Sequence, residues 1–430
     1  MRQTLFYIPH EFLGIPVLGF GWVLGAIVLI AIAIVVTSRK KQSIAKVLEE
    51  QGAVWAVAAL IVVFLLPQIE TRINDGTPTP WIVGLPVRGY GVMLMLGVVS
   101  AMAIALHQCE KAGLTRDAFF SLATWTVIAG LLGARVFYVV QKWSGLGNTV
   151  GEKLWKSLQV TEGGLVVYGG VIGGLIAMAI WSRKNRFSFL SIADCVTPAF
   201  FVGLAFGRIG CLLNGCCYGG LCDASLPSIT FPAGSPAYVD QIESGSLFGI
   251  ETDSTPSVEE PQIIRKVRPN SWASSNNIRI GQKLISIDAS VNRLSPNDPL
   301  AAPEFESVIR VDNHHFQLAA SEVPTRSLPV HPSQIYAAVS GLILCAWTFM
   351  FATIAKRTGV VVGVGLMAYG VQRIIEEIIR VDEAGQFGTS LSIAQWISIG
   401  GILLGICLVI VAKRQSPRLC LPTPVSLPRG

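Results

Sequence analysis

Gly207-Arg208-Ile209-Gly210-Cys211-Leu212-Leu213-Asn214-Gly215-Cys216-Cys217-Tyr218-Gly219-Gly220 closes an apolar run that begins near residue 191. A guanidinium inside a bilayer costs on the order of 3 kcal/mol on translocon scales, so Arg208 at the end of such a run calls for a partner or a wet cavity. The glycines, the single Asn and the paired cysteines that follow suit binding better than they suit filling lipid.

The chain around this stretch is membrane-like throughout. Of 430 residues 51% are hydrophobic and 14% charged, with a mean hydropathy of +0.56, far more apolar surface than a soluble domain needs. The formal charge of +6 fits cytoplasmic loops of a membrane protein and implies no nucleic acid. Nine cysteines form neither a small secreted disulfide scaffold nor a spaced zinc pattern.

Uncharged stretches predict an all-α polytopic protein of about nine transmembrane helices, at 17–36, 53–69, 86–107, 118–141, 163–181, 191–213, 334–355, 359–379 and 391–412. The first reads as a retained helix and not as a cleaved signal peptide. Alternate short loops hold fifteen Lys and Arg against seven in the opposite set, which places the N-terminus outside and the C-terminus in the cytoplasm. Residues 14–21 recur as 84–91, with Arg88 and Tyr90 gained in the second copy. The expected organisation is a chemically silent two-helix extension (1–75), a first core part (76–220), an extracytoplasmic insert (221–327), a second core part (328–415) and a cytoplasmic tail (416–430). Within the insert, residues 278–291 and 307–320 alternate like strands. The insert reads as a small β-rich module, as a PDZ-like module that takes a peptide on a sheet edge, or as a spacer.

On this orientation Tyr90, Arg135, Tyr168, Arg208, His331, Arg373, Glu377 and Arg380 all fall toward the outer surface. Arg373 and Glu377 are i,i+4 and could simply pair. Arg88 and Arg380 could snorkel to headgroups. The glycine pairs 163–164, 169–170 and 173–174 read first as a helix seam, and Asp194 as a charge at a helix N-terminus. What remains is a pocket of arginines and tyrosines suited to a phosphate, and the outer leaflet offers phospholipid headgroups. Cys211, Cys216, Cys217 and Cys222, spaced C-x4-C-C-x4-C, fit packing or disulfides, metal binding, or a role in holding an acceptor thiol.

At these residues the chain resembles the prolipoprotein diacylglyceryl transferases. The similarity rests on Gly89-Tyr90-Gly91, Gly133-Ala134-Arg135, Glu162-Gly163-Gly164 to Gly174, the Arg208 box, His331-Pro332-Ser333-Gln334-Ile335-Tyr336, and Tyr369-Gly370 with Arg373, Glu377 and Arg380-Val381-Asp382. The resemblance implies an inner-membrane enzyme with seven core helices that moves diacylglycerol from phosphatidylglycerol to the lipobox cysteine of a preprolipoprotein. It implies that Arg208 and Arg373 hold the lipid phosphate and that Tyr90, Arg135 and Asn214 shape the headgroup site, with Gly219 closing the signature and Glu377 and Arg380 alongside. It departs from the family at Tyr168, where a His is usual, and at Cys211, Leu212 and Cys216, where Asn, Phe and Glu are usual. Tyr168 is therefore expected to orient groups, with His331 the reserve base. No cofactor is expected and no metal is assigned. A non-catalytic lipid- or peptide-binding receptor on the same scaffold is the alternative.

Overall fold

The computed structural model describes residues 3–38, 52, 55–73, 81–147, 149–159, 164, 166–222, 226–253, 256, 260–293, 303–380, 389 and 391–412. Glu162, Gly163, Val381, Asp382 and the tail expected over 416–430 lie outside these. Two compact units form, Met1–Leu94 with Ile209–Gln334, and Met95–Arg208 with Ile335–Gly430.

In the first unit, strand β1 (Thr4–Pro9) precedes a tight hairpin of β2 (Glu11–Phe12) and β3 (Ile15–Pro16), then the apolar helices α1 (Trp22–Ser38) and α2 (Trp55–Gln68). After α2 come β4 (Thr71–Ile73) and β5 (Trp81–Arg88), and the sheet order is β1-β5-β4. The segment expected to be a silent extension thus flanks the strand that leads into helix α3 (Gly89–Lys111), with Ile8 opposite Leu85. Gln3 accepts from Gly89 N at 2.9 Å and donates to the Asn214 carbonyl at 3.2 Å.

The 221–327 segment has its own core. Helix α8 (Pro236–Glu243) starts at Ser235, whose hydroxyl accepts from Tyr238 N. Strand β6 (Ile250–Glu251) pairs with β8 (Lys266–Val267), and β7 (Gln262–Ile263) borders the larger sheet. After the short helix α9 (Trp272–Ser275) come β9 (Lys283–Arg293), β10 (Glu304–Val311) and β11 (His314–Leu318), in the order β11-β10-β9-β7. Strict alternation along β10 buries Phe305, Ser307, Ile309 and Val311, the period-2 signature of a half-buried strand. Phe305, Ile309 and Val311 join Tyr238, Phe248, Ile264, Leu284 and Leu318 in one cluster.

The second unit is helical, with α4 (Arg116–Gln141), the short α5 (Val150–Leu158), α6 (Val167–Lys184), α7 (Phe189–Asn214), α10 (Ser333–Ile354), α11 (Val360–Ile379) and α12 (Ile393–Ala412); α3, α7 and α10 each continue into the first unit. The expected glycine seam is present: a Cβ on Gly133 would strike the Gly169 carbonyl, and one on Gly169 the Gly133 carbonyl. Gly363 and Gly405 bring α11 and α12 together in the same way, the small-residue approach by which helices associate in lipid. Asp194, expected to sit at the N-terminus of its own helix, instead caps another. Fully buried on α7, it accepts from Gly359 N at 2.7 Å and Val362 N at 2.8 Å at the start of α11.

Among the described residues five helices, α3, α4, α7, α10 and α12, are long and apolar enough to cross a membrane, so this is a polytopic membrane protein. The other expected spans coincide with α1, α2, α6 and α11, which are shorter or more charged. Helix α11 carries Arg373, Glu376 and Glu377 in its last two turns, so the polarity that builds the site weakens its span signature.

Candidate active site

Within the second unit, four helices bring polar groups together near the start of α6 and the end of α7. Helix α7 supplies Arg208, α6 supplies Tyr168 at its first turn, α10 supplies Ser340, and α11 supplies Tyr369, Gln372, Arg373, Glu376 and Glu377. On α11, spacings of three and four residues set Tyr369, Gln372, Arg373 and Glu376 along one side. Tyr369 packs against Phe200 and Phe201 at ring distances of 6.2 and 6.1 Å. Arg208 and Arg373 both act electrostatically on Tyr369 and Glu376, and Tyr168 acts on Tyr369. A relay joins two helices: Gln372 Nε2 donates to Ser340 Oγ at 2.8 Å, and Ser340 Oγ donates to Glu376 Oε1 at 3.2 Å.

The two arginines are used differently. Arg208, half-buried, makes no hydrogen bond or ion pair among the described residues. Arg373 Nη2 lies 2.9 Å from Glu377 Oε2 with both side chains nearly buried. That pair is close but poorly aligned, since among the described residues neither Glu377 oxygen has a hydrogen-bond donor and Arg373 Nη1 has no acceptor. Glu377 therefore balances the charge of Arg373 while leaving a donor nitrogen available. Two guanidinium groups acting on one polar cluster between apolar helices have the chemistry that recognises an anion.

Arg135, expected to shape the headgroup site, is held by backbone carbonyls. Its guanidinium donates to the carbonyls of Ser157 (2.9 Å), Lys156 (2.7 Å), Gln159 (3.0 Å) and Gly164 (3.1 Å), and lies 5.2 Å over the Tyr138 ring. It closes the C-terminal end of α5, where unsatisfied carbonyls attract a cation. Arg380 is the C-cap of α11, its N–H bonded to the Glu377 carbonyl.

The remaining expected residues lie in the first unit. Tyr90 packs its ring over Gly210, where a Cβ would meet Tyr90 Cδ2 at 2.9 Å. Asn214 ends α7. The signature closes at Gly219, whose N–H donates to the His331 carbonyl at 3.0 Å, while His331 N donates to Gly220 at 3.0 Å. The His331 ring makes no hydrogen bond among the described residues. Sequence reasoning missed Ser340 and Gln372, and the available signal was a Gln four residues before Glu376 in an apolar helix.

Long apolar helices with arginines, carboxylates and tyrosines gathered between them define an integral membrane protein with a polar site among its helices. Residues 79–411 match the family model described as prolipoprotein diacylglyceryl transferase. The chain is 40% identical to the phosphatidylglycerol-prolipoprotein diacylglyceryl transferase of Rhodopirellula baltica, over 96% of this chain and 90% of that one. It is 37% identical to transferase 2 of Clostridium perfringens over 39% of this chain and 65% of the relative. With the Bdellovibrio bacteriovorus transferase it shares 26% identity over 77% and 90% of the two chains. The chain belongs to the prolipoprotein diacylglyceryl transferase family, as the ordered motifs led one to expect.

Proposed function

We propose that this chain transfers the diacylglyceryl group of phosphatidylglycerol to the thiol of a lipobox cysteine in preprolipoproteins and releases glycerol phosphate. The observation that carries this reading is that Arg208 of α7 and Arg373 of α11 act on the same two groups, Tyr369 and Glu376, while Arg208 makes no hydrogen bond or ion pair among the described residues. The acceptor sulfur attacks the glycerol carbon bonded to the phosphate oxygen, a C–S bond forms as that C–O bond breaks, and the electron pair leaves with the phosphate. Fixed guanidinium groups at the phosphate are worth most as its charge develops, which is where electrostatic preorganisation accelerates a reaction.

In this reading Arg208 and Arg373 hold the lipid phosphate, Glu377 and the Ser340–Glu376 relay hold Arg373 and the surrounding groups in place, and Tyr90, Asn214 and Gly219 support the headgroup region. Tyr168 orients groups, and His331, with its uncommitted ring, is the reserve base. The helices at all nine expected segments and the loop charge bias support nine spans in the bacterial inner membrane, with the N-terminus outside and the 221–327 insert extracytoplasmic. The sheet order β11-β10-β9-β7 leaves β11 at an edge of the insert, the kind of place where a peptide strand would add.

The test is complementation of a strain depleted of its own transferase, with labelled phosphatidylglycerol and a lipobox peptide as the biochemical readout. Thioether-linked lipid on the peptide is expected. A correctly inserted protein that binds lipid or peptide without forming product would make the chain a receptor.

A further inference from the structure

The cysteines after Arg208 are left over once the arginine site is described, and the fold has drawn three of them together. Helix α7 stops at Asn214 because Gly215 takes a left-handed φ of +78°, and Cys217 follows with +56°. The chain folds back so that Gly215 N and Cys216 N both donate to the Cys211 carbonyl, at 2.9 and 3.1 Å. The sulfur atoms of Cys211, Cys216 and Cys217 then lie within 4.8 Å of one another, all partly buried and none of them in a disulfide.

Other residues hold that turn rigidly. The fully buried Gln334 donates from Nε2 to the Cys216 carbonyl at 2.8 Å, and Ser333 Oγ donates to the Cys217 carbonyl at 2.8 Å. Ala237 N donates to the Gly215 carbonyl at 3.1 Å. The Cys216 thiol itself donates to the Cys211 carbonyl at 3.8 Å. Thiols are weak donors and weak acceptors, so three of them facing one another gain little from their own contacts. A zinc ion with Zn–S bonds of about 2.3 Å spaces its sulfur ligands roughly 4 Å apart, and less than about 1 Å of closure separates that spacing from this cluster. Supported carbonyls around a preset ligand turn are the arrangement that tunes metal sites.

We propose that Cys211, Cys216 and Cys217 bind zinc as a three-thiolate site whose fourth coordination position is open to an incoming thiol. Three protein ligands with one open position is the catalytic and not the structural pattern for zinc. Binding releases the three thiol protons to solvent. A thiol entering the fourth position loses its proton on coordination, although free in water it is only a few per cent ionised near neutrality. The identity of that thiol rests on the transferase reading: the lipobox cysteine arrives as thiol, is held as zinc thiolate, forms its C–S bond as the glycerol C–O bond breaks, and leaves as a neutral thioether, a poor zinc ligand.

The experiment uses the full chain, purified reduced in detergent and offered zinc, monovalent copper or cobalt. About one zinc per chain is expected to survive dialysis and to protect these three thiols from alkylation until a chelator is added. Occupancy falls at least about tenfold in C211S, C216S or C217S and is unchanged in C222S, and Gln334→Ala weakens zinc by about tenfold or more. Cobalt-loaded protein shows a rise of about one third in sulfur-to-cobalt absorption with a lipobox Cys peptide, and none with the Ser peptide. Absent zinc, retention of copper alone, a disulfide between two of the three in membranes, or a cobalt spectrum indifferent to the Cys peptide each overturns the proposal. Lipid transfer by a zinc-free protein overturns it and leaves the transferase reading standing. Zinc and peptide-thiol binding without transfer does the reverse.

Discussion

Asp194 of α7 caps the N-terminus of α11 from 165 residues away, its carboxylate accepting from Gly359 N at 2.7 Å and from Val362 N at 2.8 Å. The carboxylate is fully buried, so water cannot replace it at those donors. Asp194→Ala is expected to lower stability by about 2–3 kcal/mol, since it strands two buried N–H groups and removes a charge from a helix N-terminus. Asp194→Asn, which keeps one acceptor, loses less. Thermal unfolding in detergent distinguishes the two.

Arg208 is expected to be intolerant even of lysine. A planar fork meets two phosphate oxygens at once, whereas an ammonium meets them as a point charge. Arg208→Lys should lower lipid transfer by about 100-fold with the protein still folded, and near-normal transfer in that variant would remove Arg208 from the phosphate site. Labelled peptide product against purified protein measures it.

Arg373 and Glu377 separate stability from chemistry. Glu377→Ala leaves the Arg373 charge without its counterion in a nearly buried position, at a cost of about 3–5 kcal/mol. Replacing both by apolar residues, Arg373→Met with Glu377→Leu, should restore the melting temperature and still abolish transfer. A double variant that transfers lipid would show that Arg373 serves structure alone.

Arg135 closes α5 through the carbonyls of Lys156, Ser157 and Gln159 and reaches on to that of Gly164. Arg135→Lys cannot reproduce that fork, and faster hydrogen exchange over residues 150–159 is the expected signature. Lipid affinity should change less than it does in Arg208→Lys.

The insert carries its own pH signature. Burial pushes the Tyr238 hydroxyl up from its ordinary value near 10 to about 12, and that hydroxyl donates to the Pro324 carbonyl at 2.7 Å. An acid held neutral in the fold loses stabilisation where only the unfolded chain has ionised. The insert should therefore keep full stability below about pH 10 and lose it as pH rises toward about 12. Tyr238→Phe should cost about 1 kcal/mol at neutral pH and flatten that loss. Emission from Trp272, which packs edge-on against Phe248 and Phe316 at 5.8 and 5.4 Å, reports it.

The sequence by itself determined the membrane class, the family and the arginines, because apolar runs, loop charge and ordered short motifs are properties of the linear chain. Arg208 was legible for the same reason, since a charge inside an apolar run stands out without any partner being known. Partners were decided only by the tertiary structure. Nothing linear announces that Arg135 spends itself on α5, that Asp194 caps α11, or that Ser340 of α10 bonds Glu376. Each is a contact between segments distant in sequence, fixed by helix packing through close-approach glycines such as Gly133 and Gly169. The cysteines show the division most plainly. Their spacing favoured packing or disulfides over an acceptor-holding or metal role, and the left-handed turn at Gly215 brought three sulfurs within 4.8 Å.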